Sequence, residues 1–103
     1  MKITDLPFGI TDWQGVEKTT HKGESGFAYW QTKQFGDIRV RIVTYSAGYL
    51  ADHWCTKGHI LFCMSGEDGR TFLLSAGMSY QVADDAEPHR SSTSEGATLF
   101  IVD

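Results

Sequence analysis

An all-β domain, a sandwich or a small barrel, is what this 103-residue sequence predicts. Three observations carry the prediction. Residues 38–46 alternate, with Ile38, Val40 and Ile42 on one face and Arg39 and Arg41 on the other, the period of two of a half-buried strand. Short apolar runs recur along the chain between turn signals rich in glycine and aspartate. Helical periodicity is nearly absent, and residues 10–18 offer one short turn of helix or none.

The elements follow in order. Residues 27–33 read as a strand and Phe35-Gly36-Asp37 as the turn into residues 38–46. Arg39 and Arg41 are expected on a solvated face. Were that face turned inward, they would make an anion clamp for a carboxylate or phosphate. Residues 59–65 put Ile60, Phe62 and Met64 on one face and His59, Leu61 and Cys63 on the other. A strand apolar on both sides is covered on both sides. One cover is the interior; the other is the N-terminal segment or a second subunit, and a homodimer over Ile60, Phe62 and Met64 is the expectation. Gly66-Glu67-Asp68-Gly69 signals a turn. Strands are expected at 70–75 and 79–83, broken at Ala76-Gly77, then an acidic loop through Asp84, Asp85 and Glu87, then strands at 89–94 and 97–102.

Length and composition set the class. A chain of 103 residues, 41% hydrophobic, makes one domain, 1–103, with a core of its own. The net charge of −4 and nine scattered Lys and Arg argue against nucleic acid as a partner. The apolar runs are too short to span a bilayer, and Met1-Lys-Ile-Thr-Asp-Leu-Pro7 lacks the apolar core of a secretion signal. A cytoplasmic protein without a membrane partner is expected. Two cysteines, Cys55 and Cys63, do not make a disulfide framework.

The chemistry concentrates between Gly48 and Gly66. His53, Cys55 and His59 fall close together, and His89 follows after a glycine-led segment. Imidazole and thiolate are the usual ligands of zinc and suit other late first-row metals. Alternate strand residues share a face, as His53 and Cys55 would. Thr56-Lys57-Gly58 allows a tight turn that brings His59 back beside them, so three ligands come from one hairpin at little entropic cost.

At these residues the chain resembles the cupins. Gly48, His53, Cys55, His59 and Gly66 are similar to their first motif, in which a glycine, a His-x-His pair, a glutamate and a closing glycine follow in that order. Gly77 and His89 resemble the start and the metal-binding histidine of the second motif. The string Asp52-His53-Trp54-Cys55 resembles the small DHCW-motif cupins, over most of the chain. The resemblance implies a cupin-type small β-barrel of two packed antiparallel sheets, with a metal near its mouth and often a dimer. By position it implies His53, Cys55, His59 and His89 as the metal ligands. The sequence departs from the pattern. Cysteine stands for a histidine and histidine for the glutamate, which moves preference toward zinc, with iron(II), nickel or copper behind it. The stretch from Gly66 to Gly77 is short and implies a shortened hairpin between the motifs.

Other residues carry quieter expectations. His21 is expected at the surface, Cys63 in the core, and Asp52 as a structural anchor for a backbone amide or Lys57, or as a partner of a ligating histidine. Trp54 is expected to pack or to lie at an interface. Tyr45, Tyr49 and Tyr80 are expected in packing or at the rim. Ser91 and Ser92 lie near His89 without an orienting acid, and no phosphate-cradling loop or nucleophile elbow is present. Two functions remain. One is a protein that binds or acts on a small molecule, an acidic one included, at a His/Cys-ligated metal. The other is a non-catalytic metal-binding or sensor protein with a closed four-ligand structural zinc site.

Overall fold

The computed structural model describes residues 3–69 and 73–103. Among them lie one turn of 3-10 helix, Trp13–Gly15, and seven strands. These are β1 (Lys18–Lys22), β2 (Phe27–Phe35), β3 (Ile38–Tyr45), β4 (His59–Gly69), β5 (Leu73–Ser75), β6 (Ser79–Val82) and β7 (Ala97–Val102). Asp12 caps the short helix, its carboxylate accepting from the Gln14 amide at 3.1 Å. Every pairing is antiparallel, in the order β1-β2-β3-β7-β4-β5, with β6 also on β4. The last strand, β7, sits between β3 and β4 and joins the two parts of the sheet. The architecture is the expected all-β one.

The register fixes what lies inside. Trp30 faces Val43 across β2 and β3, Val43 faces Leu99 across β3 and β7, and Leu99 faces Cys63 across β7 and β4. Directly opposed residues share a face of the sheet. Val43, Leu61, Cys63 and Leu99 are the largest side chains with essentially no exposure, and Ala28, Tyr45, Leu74, Ala97 and Ile101 complete the core. Cys63 is therefore core, as expected. The core fills one half of the interior. The other half carries the polar residues described below.

Several expectations are corrected. The inward face of β3 is the one with Arg39, Arg41, Val43 and Tyr45, so the arginine face is not solvated. β1 was not foreseen: Lys18-Thr-Thr-His-Lys22 has no apolar residue to show a buried side. Residues 66–69 continue β4 through an irregularity between Cys63 and Ser65 instead of turning. Of the strand expected at 70–75, residues 73–75 form β5, and residues 70–72 lie outside the described residues. Residues 89–94 make only isolated bridges, Cys55 with His89 and Leu50 with Ser92.

Ile60, Phe62 and Met64 stand on the outer face of β4, as their parity requires, and are exposed. The N-terminal segment covers the neighbouring strand instead. Trp13 meets Phe100 of β7 edge-on at 6.5 Å, held there by Gln31, which donates to the carbonyls of Trp13 and Val16 at 2.6 and 2.9 Å.

Candidate functional site

The polar half of the interior is built by four strands. β3 supplies Arg39 and Arg41, the residue after β7 supplies Asp103, β4 supplies His59, and β6 supplies Tyr80. Asp103 continues the β7 ladder: its amide donates to the Arg39 carbonyl at 2.9 Å. Its side chain is then set among the two arginines. Arg39 grips it with two bonds, Nε to Oδ1 at 2.8 Å and Nη2 to Oδ2 at 3.0 Å, and Arg41 adds Nη2 to Oδ2 at 2.9 Å. Burial alone would raise the Asp103 carboxyl. The His59 imidazole, the Arg39 hydrogen bonds and the two guanidinium charges outweigh it and hold the group well below the usual carboxylate range.

Arg41 is 5% exposed. Burial is the main influence on it and lowers its proton affinity, with Asp103 opposing; an arginine nonetheless stays charged. Its guanidinium lies 4.4 Å from the centre of the Trp30 ring, a cation–π contact. His21 stacks on the same ring at 3.9 Å and donates to or accepts from Thr19 Oγ1 at 2.8 Å. His21 is half-buried there rather than a plain surface residue.

The two interior histidines meet edge to face at 4.7 Å. His89 is 4% exposed. Its Nδ1 lies 3.0 Å from the Glu87 carbonyl. A carbonyl only accepts, so Nδ1 carries the proton, and the neutral ring presents a bare lone pair at Nε2. That atom is buried and has no partner. His59 Nε2 lies 2.8 Å from the Tyr80 hydroxyl, and its Nδ1 faces Asp103 Oδ2 at 3.7 Å. A carboxylate opposite Nδ1 favours the proton there, so Nε2 accepts from the tyrosine.

The predicted ligands are thus placed unevenly. Cys55 pairs with His89 by backbone, each donating its amide to the other's carbonyl, at 2.6 and 2.9 Å. Residues so paired point to the same face. Cys55 therefore does not return to His59 through a hairpin; its partner is the second-motif segment. His59 and His89 are together, but both His59 nitrogens face other groups. His53 has a side chain 74% exposed, and its Nδ1–H donates to Asp52 Oδ1 at 2.6 Å. Asp52 is thus the partner of a histidine, not of Lys57. Among the described residues no three His, Cys, Asp or Glu side chains form a group that could hold a metal ion. The donor chemistry suits a metal at His89, whose orientation is that of a ligating imidazole, and at Cys55 beside it. It does not suit one at His59 as arranged.

Sequence reasoning did not mark Asp103 or Trp30. One signal for the inward arginines was present: Val43 and Tyr45 continue the arginine face as apolar residues. Asp84, expected as a solvated loop residue, accepts the Gly58 amide at 2.6 Å and ties the acidic loop to the start of β4. Trp54 is exposed under the Arg90 guanidinium at 4.9 Å.

The antiparallel all-β fold is that of a cupin-type barrel, as its likeness to solved structures shows. The chain superposes on ectoine synthase from P. lautus with a TM-score of 0.71 at 15% identity, covering 92% of this chain and 76% of that one. It matches the cupin-2 domain Rru_A2000 from Rhodospirillum rubrum with a TM-score of 0.67 at 14% identity, over 93% and 74% of the two chains. It matches Fe(II)-HppE, solved with the alternative substrate (S)-1-HPP, with a TM-score of 0.66 at 17% identity, over 96% and 62%. At such identities the likeness establishes the fold. No protein-family model and no curated protein sequence matches the chain. Among the described residues no helix is long and apolar enough to cross a membrane.

Proposed function

We propose that this chain binds a small molecule in the polar half of a cupin barrel, beside a divalent metal, zinc first. The observation that carries the reading is His89: buried, its Nδ1 tied to a backbone carbonyl, its Nε2 bare. Cys55 stands next to it on the same face. A neighbour in fold is solved as its Fe(II) form. The metal would supply Lewis acidity or a lowered water pKa. The open site is preferred over a closed structural zinc site with His53, Cys55, His59 and His89. Closure requires His59 to give up Tyr80 and His53 to come in from solvent. The resemblance to the DHCW-motif cupins belongs to this proposal, as does the cytoplasm.

Zinc retention tests it. Cys55→Ser and His89→Ala are expected to weaken zinc binding by more than about tenfold, while Cys63→Ala keeps it, because Cys63 is core. Elemental analysis of the purified variants reads the result. Equal metal in all three would remove Cys55 and His89 from the site.

The proposal includes a homodimer closed over the outer face of β4. Ile60, Phe62 and Met64 stand exposed on that face, and Phe8 and Ile10 of the N-terminal segment are 95% and 89% exposed. A standard interface buries about 800 Å² per partner. Phe62→Asp is expected to sediment as a monomer at micromolar concentration where the parent chain is a dimer. A monomeric parent chain under those conditions would end this part of the reading.

A further inference from the structure

We infer that the polar half of the barrel binds a small monocarboxylate, its carboxylate received by Arg41. The inference rests on the interior being the ligand site, as proposed above, and does not need the metal. Its first support is the burial of charge. Arg39 and Arg41 carry two positive charges and share one carboxylate side chain, that of Asp103. Arg39, with a side chain 28% exposed, can meet water. Arg41, at 5%, cannot do so freely. Arg41 shares its carboxylate partner, Asp103, with Arg39, and an added carboxylate would give it a charge-assisted bond of its own.

The second support is unused hydrogen-bonding capacity. Arg41 spends one bond on Asp103, from Nη2, and its Nε is buried with no partner. A guanidinium receives a carboxylate best through two parallel N–H groups. Asp103 takes both arms of that pair on Arg39, Nε and Nη2, and only the Nη2 arm on Arg41, whose Nε is left without a partner. His89 Nε2 is also buried without a hydrogen-bond partner, and His59 Nδ1 has only the Asp103 carboxylate, at 3.7 Å. A buried polar atom left without a partner in a native interior calls for an explanation. A singly charged carboxylate costs less to desolvate in this buried half than a phosphate dianion. A planar, two-oxygen group fits Arg41 better than a spherical halide. Arg39, Tyr80 and Cys55 are partly exposed and mark the side from which it enters.

Calorimetric titration of the full chain with acetate, lactate, acetamide, chloride and phosphate tests the assignment, with metal content measured on the same sample. Acetate or lactate is expected to bind at least about tenfold more tightly than neutral acetamide, chloride or phosphate. Arg41→Lys keeps the charge and loses the fork, and is expected to lower that affinity about tenfold; Arg39→Lys is expected to lower it less. If Arg41→Lys does not fold, acetate against acetamide on the parent chain decides. Equal binding of the two, or binding of chloride alone, overturns the inference. A chain that takes up zinc but no carboxylate keeps the metal reading and loses this one. A chain that takes carboxylate without metal does the reverse.

Discussion

Asp103→Asn is expected to cost the fold about 3–5 kcal/mol, the loss seen when one partner of a buried ion pair is removed. The Asp103 side chain is 1% exposed and accepts three bonds from two guanidinium groups. An amide in its place keeps the shape and leaves Arg41 charged, buried and uncompensated. Denaturant unfolding should show a lower midpoint with an unchanged slope. Adding Arg41→Met should recover much of the loss, because the remaining Arg39 reaches water and the two changes share one interaction. A single variant within about 0.5 kcal/mol of the parent, the range of ordinary surface changes, would show that the cluster is not buried as described.

The same residue sets an acid limit. Its folded proton affinity is depressed, so the unfolded chain binds the proton more readily. The stabilisation is present in full above the unfolded value of about 3.9. It is lost as pH falls from there through the much lower folded value. Asp103→Asn should be less stable than the parent near neutrality, and the gap should narrow as the medium is acidified below about pH 4. A gap that stays constant would mean another group carries the acid dependence.

Gly66→Ala is the second large effect expected, at roughly 2–5 kcal/mol. Gly66 has φ +76 and pairs with Ala97 just past the irregularity between β4 and β7. A left-handed residue with a Cβ costs about 1–2 kcal/mol. The added carbon would also overlap the Gly96 carbonyl oxygen, which is backbone and cannot rotate away. Such overpacking costs about 1–3 kcal/mol more. Gly36→Ala is the control: φ is +59, and nothing lies near its added carbon. Only the backbone part, about 1–2 kcal/mol, should appear there. Equal costs at the two positions would mean that β4 and β7 can separate at the irregularity without penalty.

Much of the sheet could be read from the chain. β3, the first part of β4 and β7 have the alternation that only an extended, one-sided environment needs, and turns fall where Gly36 and Gly77 allow positive φ. The short helix could be seen only as a possible turn, since three residues leave no periodicity. β1 was invisible because an edge strand of Lys, Thr and His buries little and shows no pattern. The site was legible in part. Spacing brought His59, His89 and Cys55 to one end of the interior, and the backbone pairing of Cys55 with His89 did the gathering. Spacing could not tell that His53, two residues from Cys55, would turn out to solvent and pair with Asp52.

The chain by itself determined a twisted antiparallel sheet, its apolar parity and the presence of imidazole, thiol and guanidinium groups near one another. Alternation is symmetric, however: it separates two faces and does not say which is inside. In β3 the face with arginines turned inward because Val43 and Tyr45 on that face meet Leu99 and Ala97 of β7. Asp103, sixty-odd residues away in sequence, then became their counter-ion. Burial and pairing between distant strands are properties of the assembled sheet. Only the tertiary structure could therefore place two positive charges and one negative one in the dark half of the barrel.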